Sequence, residues 1–491
     1  MTYVIGVDVG SQSVKAVLMS ADGEEVAGAS APCTMSFPAP GWAEQEPSEW
    51  TSALAHTIQS VRAGANVSAE EIGTIGLACQ VDGLVPLDSD LRALRPAIIW
   101  LDRRAVDECA RFSSDVGEDE LVERTGLNPD ASHPAPKAMW FRDREPALYE
   151  KTRWLAPVST CVSGWLTGEV AQDHANASCT LLYDLATRSW STDLIDRAGL
   201  DGARLPPITR AADVIGTLRP DAAAALGLTT DCQVVTGTGD EHGAALGAGA
   251  LAPGIVVDIS GTAEPVVAPT AELVLDETRL VETHAHAVDE MLLVENPGFV
   301  SGGSTRWLAE VVGVSQGELL ALAERAAPGC HGVLFIPALS GATTPRWNAH
   351  MRGVFAGLGM SHDVSSLARA VLEGCAFALR DIVDRLADLG LAGDEIRVVG
   401  GGARSPLWLQ IKADVMGRPV RALLAQEATA TGAAMLAAVA AGHFRDLGEA
   451  ASRYVGLAPE PVVPRRELAE TYADAYGAYR RLFDGVEGAL A

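Results

Sequence analysis

An α/β fold divided between two domains is the architecture that this 491-residue sequence predicts, and three observations predict it. Apolar, strand-length runs alternate with amphipathic, helix-length segments from residue 3 onward. The chain is too long for one hydrophobic core. One short device also occurs in each half: an Asp at a strand end followed by a hairpin of small residues. The two copies are Asp8-Val9-Gly10-Ser11 and Asp258-Ile259-Ser260-Gly261-Thr262. They suggest two similar domains facing a shared cleft.

In chain order, Tyr3–Val9 is apolar, 10–13 is a turn, 14–19 is apolar again, and Ala21-Asp22-Gly23 precedes a third strand. Glu46-Pro47-Ser48 is a start signal for a helix over 47–63, and a strand follows at Ile72–Cys79. The segment IGTLRPDAAAALGLTTDCQVVTGTGDEHGAALGAGAL reads as strand, helix, strand, then a Gly-rich turn into a helix. A second α/β block begins near Gly254. A strand at 255–259 and a tight turn at Ser260-Gly261-Thr262 lead to a strand at 264–268. Ile396–Val399 is a strand, Gly400-Gly401-Gly402 a turn, Pro406–Met416 a helix, and 468–483 a closing amphipathic helix.

Composition narrows the class. Hydrophobic residues are 48% and charged residues 21%, which is globular rather than disordered. A formal net charge of -27 repels nucleic acid and anionic membrane surfaces. It also gives no general attraction to a polyphosphate, so phosphate binding falls to local backbone donors and a metal ion. The lysines are few: Lys15, Lys137, Lys151 and Lys412. Eight scattered cysteines without a CxxC pair read as reduced core residues. The start, MTYVIGVDVGSQS, has no basic or long apolar leader, and no run of about 18 apolar residues suggests a membrane span. A cytoplasmic protein is expected.

Three constellations carry chemistry. In Asp8-Val9-Gly10-Ser11-Gln12-Ser13-Val14-Lys15, a hairpin of Gly and small hydroxyl residues lets backbone N–H groups approach phosphate oxygens. Asp8 at the strand end suits a Mg²⁺ ion held through water. The plain alternative is an ordinary hairpin with a buried Asp. In Gly237-Thr238-Gly239-Asp240-Glu241-His242-Gly243, Asp240 stands where it could accept a proton from a substrate hydroxyl, as phosphoryl transfer to an alcohol requires. Its alternative is a helix N-cap ahead of 243–246. In Val398-Val399-Gly400-Gly401-Gly402-Ala403-Arg404-Ser405-Pro406, three glycines between strand and helix make a close-approach surface for a flat or anionic ligand. This last element is neither GxGxxG nor a P-loop. No HExxH or G-x-S-x-G pattern occurs, and His242, His284 and His286 read as structural residues rather than ligands.

Together and in this order, these elements resemble the FGGY carbohydrate kinases, the xylulokinase-like members most closely, over essentially the whole chain. The matching segments are VIGVDVGSQSVKAVL, GWAEQEPSEWTSAL, IGLACQVDGLVPLD, LRPAIIWLDRRA, GTGDEHGAALGAG, DISGTAEP, FIPALSGATTPRWNAHMRGVFAGL, ARAVLEGCAFALRD and VVGGGARSPLWLQIKADVMGRPV. Of the two family signatures, Pro134–Arg144 keeps Lys137 and Trp140 but departs at Ala138 and Arg144. The one at 353–373 keeps Gly353, Gly357, Leu358, Ala370 and Glu373, with Ser366 off pattern.

The resemblance implies two actin-like (ribonuclease H-like) domains around a central nucleotide and sugar cleft. Residues 1–247 would carry most of the sugar site and 248–491 most of the ATP site. It implies Asp240 as general base and Asp8 as the carboxylate organising Mg²⁺ through water. It implies ATP contacts from Gly10, Ser11, Gln12, Lys15, Gly261, Thr262, Gly302, Gly401, Gly402, Ala403 and Ser405. The sugar would meet Gln80, Val81, Asp82, Trp100, Asp102, Asp240 and Glu241, with domain closure excluding water. A homodimer is the family expectation.

The implied reaction is ATP-dependent phosphorylation of a ketopentose such as xylulose. Another ketose (ribulose, fuculose) or a polyol (glycerol, erythritol) stays open, because Val81-Asp82 replaces the Met-His pair usual in xylulokinases and Glu241 an Asn. Asp82 accepts hydrogen bonds but cannot donate them as a His can. An actin-fold ATPase and a non-catalytic sugar-binding regulator are the readings of another class. Asp240 in its turn, the WLDRRA segment and retention of Asp8 favour the kinase.

Overall fold

The computed structural model describes residues 2–393, 395–425 and 427–490. By internal contacts the chain separates into two units. The first comprises Met1–Leu251, Thr283–Leu293 and Glu427–Val455, and the second Ala252–Glu282, Val294–Gln426 and Gly456–Ala491.

The first unit is built on a seven-stranded sheet. Its strands are β1 (Tyr3–Val9), β2 (Ser13–Ser20), β3 (Glu25–Pro32), β4 (Ile72–Cys79), β5 (Val214–Thr217), β6 (Gln233–Val235) and β7 (Thr238–Gly239). The order is β5-β6-β4-β1-β2-β3, and β7 also pairs with β4. β1, β2 and β3 form an antiparallel meander, whereas β1, β6 and β7 each run parallel to β4. The central strands are apolar along their length because both faces are covered, as parallel strands require. One cover is helix Pro47–Ala65, with Pro at its first turn and left-handed Asn66 closing it; it buries Trp50, Leu54, Ile58 and Val61.

The other cover is helix Ala428–Ala440, which returns late in the sequence to the first unit. Its Ala430, Ala434, Ala437 and Ala438 pack in one cluster with Val4, Val17 and Met19. The approach is backbone to backbone. A Cβ added at Gly6 of β1 would lie 1.9 Å from the Ala430 carbonyl oxygen, and one at Gly76 of β4 would lie 1.9 Å from that of Ala433. Only glycine fits at these two positions.

In the second unit, β8 (Val256–Ile259) pairs antiparallel with β9 (Val266–Thr270) and parallel with β10 (Ile396–Val399), which pairs parallel with β11 (Val420–Ala422). The buried face of helix Val364–Asp388, with Leu372, Phe377 and Ile382, packs in the core formed with Val256, Val266 and Val398. The repeated device keeps its place in both sheets. Asp8 and Asp258 are each the last residue but one of a strand with an antiparallel neighbour on one side and a parallel neighbour on the other.

The two-domain α/β reading holds, with differences at element ends. The strand expected over 264–268 runs over Val266–Thr270, because Glu264 is drawn into the buried ion cluster described below. The helix expected over 468–483 runs over Ala469–Leu490. That over 47–63 runs two residues further, to the αL residue Asn66.

Gly6→Ala and Gly76→Ala are each expected to destabilise the protein by about 1–3 kcal/mol or more through overpacking. Gly64→Ala, in a helix with nothing within 4 Å of the new Cβ, should stabilise it slightly. Chemical denaturation of the three variants reads the opposite signs.

Candidate active site

The register of the first sheet brings the predicted residues together. Ala78 of β4 lies opposite Asp8 on one side and Thr238 on the other, and Cys79 lies opposite Val9 and Gly239. Three parallel strands therefore end side by side. Asp8 stands at the end of β1, Gln80-Val81-Asp82 continues from β4, and Asp240 follows β7. Ligand sites of α/β sheets form beyond such carboxyl ends.

Asp240 opens helix Asp240–Gly247, whose N-cap is Gly239. The alternative that Asp240 is itself the N-cap is thus corrected: its Oδ1 accepts from the next N–H, that of Glu241, at 3.1 Å. Burial holds the Asp240 carboxyl well above the ordinary carboxylate range, and the charges of Glu241 and Asp8 raise it further. Burial also pushes Asp8 up to about 6, against the pull of Lys15 and with a push from Glu427. Lys15 pairs with Glu427 at 2.7 Å and lies 3.9 Å from Asp8. In the hairpin, the Gly10 N–H donates to Ser13 O (3.1 Å), and Gln12 O accepts from the Cys33 N–H (2.9 Å).

The residues expected around the sugar divide into two groups. Gln80 is buried, and its Nε2 donates to Gln45 Oε1 at 2.9 Å. Gln45 Nε2 in turn donates to Ser11 O at 2.8 Å, which ties the phosphate hairpin to the β4 end. Val81 packs at Gly239: a Cβ there would lie 2.5 Å from Val81 Cγ1. Asp82 is an αL residue at φ 59°. Asp102 is occupied by the protein itself. Its carboxylate accepts from the Ala43 N–H (2.6 Å) and from the Arg104 N–H, Nε and guanidinium (2.7–3.0 Å). Trp100 precedes this knot, and its carbonyl accepts from Arg103 at 2.9 Å.

Sequence reasoning missed three partners here. Gln45 lay in the GWAEQEP segment with no role attached. Lys137, fully buried, donates to Asp82 O (2.6 Å) and Ile99 O (2.9 Å), and burial brings its amine down to about 7. His133 reaches Asp82 from 51 residues away. His242, His284 and His286 gather in the interior, with the His242 ring 5.9 Å and 6.3 Å from the other two. Among the described residues, no group of three His, Cys, Asp or Glu is arranged to hold a metal.

The second unit contains a cavity of about 720 Å³, lined by Gly261, Thr262, Gly302, Gly401, Gly402 and Ser405 of the predicted set. That volume is in the range of small-molecule and cofactor sites. Ala403 instead packs its methyl against the core of the unit. Thr305, Arg306, Gln316, Glu324, Arg404 and Trp408 are among the other lining residues. Nothing in the sequence marks Gln316, whereas Arg404 and Trp408 belong to the GGGARSPLW segment. The glycines are contact requirements: a Cβ on Gly302 would lie 2.4 Å from Gly261 O, and one on Gly402 2.1 Å from Ser260 Oγ. Helix Gly302–Val312 begins at the wall, where the Gly302 and Gly303 N–H groups donate to Gly261 O (3.1 Å) and Thr262 O (3.0 Å) and so fix the helix start against the hairpin.

Beneath this floor lies a buried ion cluster. The Lys412 ammonium pairs with Asp258, lies 3.1 Å from Glu264 and donates to Ser260 Oγ at 2.8 Å. Ser260 and Ser301 hydroxyls both donate to Glu264. Burial, then Glu264, pushes Asp258 up to about 7 against the pull of Lys412. The cluster joins the Ser260-Gly261-Thr262 hairpin to helix Pro406–Met416, and hence to the glycine turn before it.

An acid at the end of three strands and a glycine-floored cavity define a phosphotransferase of the two-domain, actin-like class. Residues 3–247 match the N-terminal domain and residues 259–441 the C-terminal domain of the FGGY family of carbohydrate kinases, and the chain belongs to that family. It is an ATP-using kinase of small-molecule carbohydrates. A xylulose kinase of Escherichia coli (strain K12) is 31% identical, over 97% of this chain and 96% of its own. A glycerol kinase of Citrifermentans bemidjiense is 31% identical, over 96% and 97%. The crystal structure of xylulose kinase from Rhodospirillum rubrum superposes with a TM-score of 0.89 at 29% identity, covering 99% of each chain.

Lys412→Met leaves two buried carboxylates without their cation and is expected to cost about 3–5 kcal/mol of stability. Adding Asp258→Asn to the same chain should recover part of that loss. Chemical unfolding of the single and double variants measures both.

Proposed function

We propose that the chain transfers the γ-phosphoryl group of ATP to a hydroxyl of a ketose, a ketopentose such as xylulose first, giving sugar phosphate and ADP. The observation that carries this reading is Asp240 at the strand-end junction, beside the Gln80-Val81-Asp82 turn, with its basicity raised by burial. The ionised carboxylate accepts the hydroxyl proton as that oxygen bonds to the γ-phosphorus and the bond to the β–γ bridging oxygen breaks. The names of the xylulose kinase relatives support the ketopentose. The glycerol kinase relative keeps a polyol as the second reading.

The cavity of the second unit is the proposed nucleotide site, with Gly261, Thr262, Gly302, Gly401, Gly402 and Ser405 along the ligand and Arg306 and Arg404 supplying positive charge. Gly10, Ser11, Gln12 and Lys15 are proposed to meet the phosphates at the first hairpin. Asp8 is a desolvated oxygen donor at the end of β1, the donor type that Mg²⁺ prefers, and we assign it to that ion through water. When bound, Mg²⁺ neutralises phosphate charge. A cytoplasmic site of action is supported by eight free cysteines, and a role away from nucleic acid and anionic membranes by the net charge of -27. No helix among the described residues is long and apolar enough to cross a membrane.

ADP release with ATP, Mg²⁺ and a panel of pentuloses, hexuloses and polyols tests the proposal. One acceptor should stimulate turnover strongly, and Asp240→Ala should lower the stimulated rate by about 10²–10⁴-fold. No stimulation by any acceptor, with Asp240→Ala leaving ATP turnover unchanged, would refute it.

The pH profile carries a second expectation. Asp240 acts only when ionised, so acceptor-dependent kcat/KM should fall as pH drops through its folded pKa, above the ordinary carboxylate range. Glu241→Gln removes one neighbouring negative charge, makes Asp240 easier to ionise, and should move that acid limb to lower pH.

A further inference from the structure

Asp82 and His133 come from different elements of the first unit. Asp82 ends the turn that follows β4, and His133 is the N-cap residue of helix Pro134–Arg144. The His133 Nδ1 lies 3.3 Å from Asp82 Oδ1 and 3.0 Å from Cys179 O, and its Nε2 lies 3.2 Å from Asn128 O. Three acceptors surround the ring, and a ring that donates at both nitrogens satisfies them together. The imidazole is therefore fixed in plane and rotation, and it holds the Asp82 carboxylate from one side.

The backbone of Asp82 is fixed as well. Lys137 donates to its carbonyl at 2.6 Å, and the φ of 59° turns the residue into a conformation that Asp tolerates better than most. The Asp82 side chain is 15% exposed. Oδ1 has the His133 contact, and Oδ2 has no hydrogen-bond partner among the described residues. The neighbouring Val81 packs at Gly239, the residue before Asp240. An immobilised carboxylate with an open oxygen thus follows directly on a residue that packs against the turn carrying the proposed base.

Resting on the kinase reading above, we infer that Asp82 and His133 form a specificity-determining pair: Asp82 reads one hydroxyl of the acceptor through Oδ2, and His133 is the positioning residue that aims it. A carboxylate accepts and cannot donate, so the oxygen it meets belongs to a hydroxyl and not to a carbonyl. The imidazole that xylulokinase-like chains carry at position 82 is supplied here from position 133, behind a carboxylate. The site consequently selects a polyhydroxy acceptor by a donor hydroxyl at this point. An analogue lacking that hydroxyl leaves a desolvated acceptor unpaired and is rejected.

The test uses the full chain as wild type, Asp82→Asn, His133→Leu and His133→Asn. The acceptor is the best of xylulose, ribulose, fuculose, glycerol and erythritol, followed by its monodeoxy analogues. Wild type should discriminate against one monodeoxy analogue by about 10- to 100-fold, the effect of a hydrogen bond to a charged group. Asp82→Asn and His133→Leu should raise KM for the parent acceptor by a similar factor and lose that discrimination. In both variants the Kd for ADP should stay near wild type. His133→Asn, which still offers an N–H, should keep part of the discrimination. Unchanged discrimination in Asp82→Asn and His133→Leu, or an equal loss of ADP binding and acceptor binding, would overturn the pair while leaving the kinase reading intact. Phosphorylation of no acceptor by wild type would overturn the kinase reading and this inference with it.

Discussion

The contact of helix Ala428–Ala440 with β1 and β4 sets the position of everything at the strand ends. Gly6 and Gly76 let a helix backbone lie directly on the two central strands, and a run of alanines on the helix side adds almost no thickness. At van der Waals distance the helix also has no room to slide. Asp8 lies two residues beyond Gly6 and Gln80 four beyond Gly76, so the same contact that closes the core fixes the height of both residues. Glu427, at the start of that helix, meets Lys15 and thereby reaches Asp8. Packing and site electrostatics in the first unit thus share one cause.

The repeated Asp hairpins have diverged in what surrounds the acid. Asp8 retains a partly open carboxylate with a cation at 3.9 Å that is itself shared with Glu427. Asp258 is sealed in the interior with Lys412 and Glu264, as a cross-link under the cavity floor. One strand-end position therefore presents a charge outward in one unit and consumes it inward in the other. The difference lies in burial and partners, because the backbone register of the two sheets is alike. In a chain of net charge -27 with four lysines, engaging Lys15 and Lys412 in these clusters leaves the positive charge of the cavity wall to Arg306 and Arg404.

Other acids of the first unit follow a related logic of fixed carboxylates. Asp102 is held by Arg104 and Ala43, Asp82 by His133 and Lys137, and Asp240 by its place in the first turn of a helix. Holding each acid by a separate element gives it one orientation. A carboxylate held in one orientation offers a fixed acceptor, and a partner that fails to donate to it leaves a desolvated oxygen unpaired.

Much was legible in the residues themselves. Alternating apolar runs marked β1, β4 and β10, and the glycine-bearing turns marked where each chemical element sits, because turn chemistry and strand periodicity are local properties. The order of the motifs along the chain was enough to identify the family. Local signals could not show that Ala428–Ala440 folds back onto the first sheet, that Asp102 is taken up by Arg104, that Ala403 turns into the core, or that Gln45 bridges Ser11 and Gln80. Nor could they join His133 to Asp82 or Lys412 to Asp258, pairs that lie 51 and 154 residues apart. The amino-acid sequence by itself determined the element order, the fold class and the family. The tertiary structure alone decided which acids remain open and which are spent on partners, because a carboxylate's chemistry is set by its solvation and neighbours, and those arrive from elsewhere in the chain.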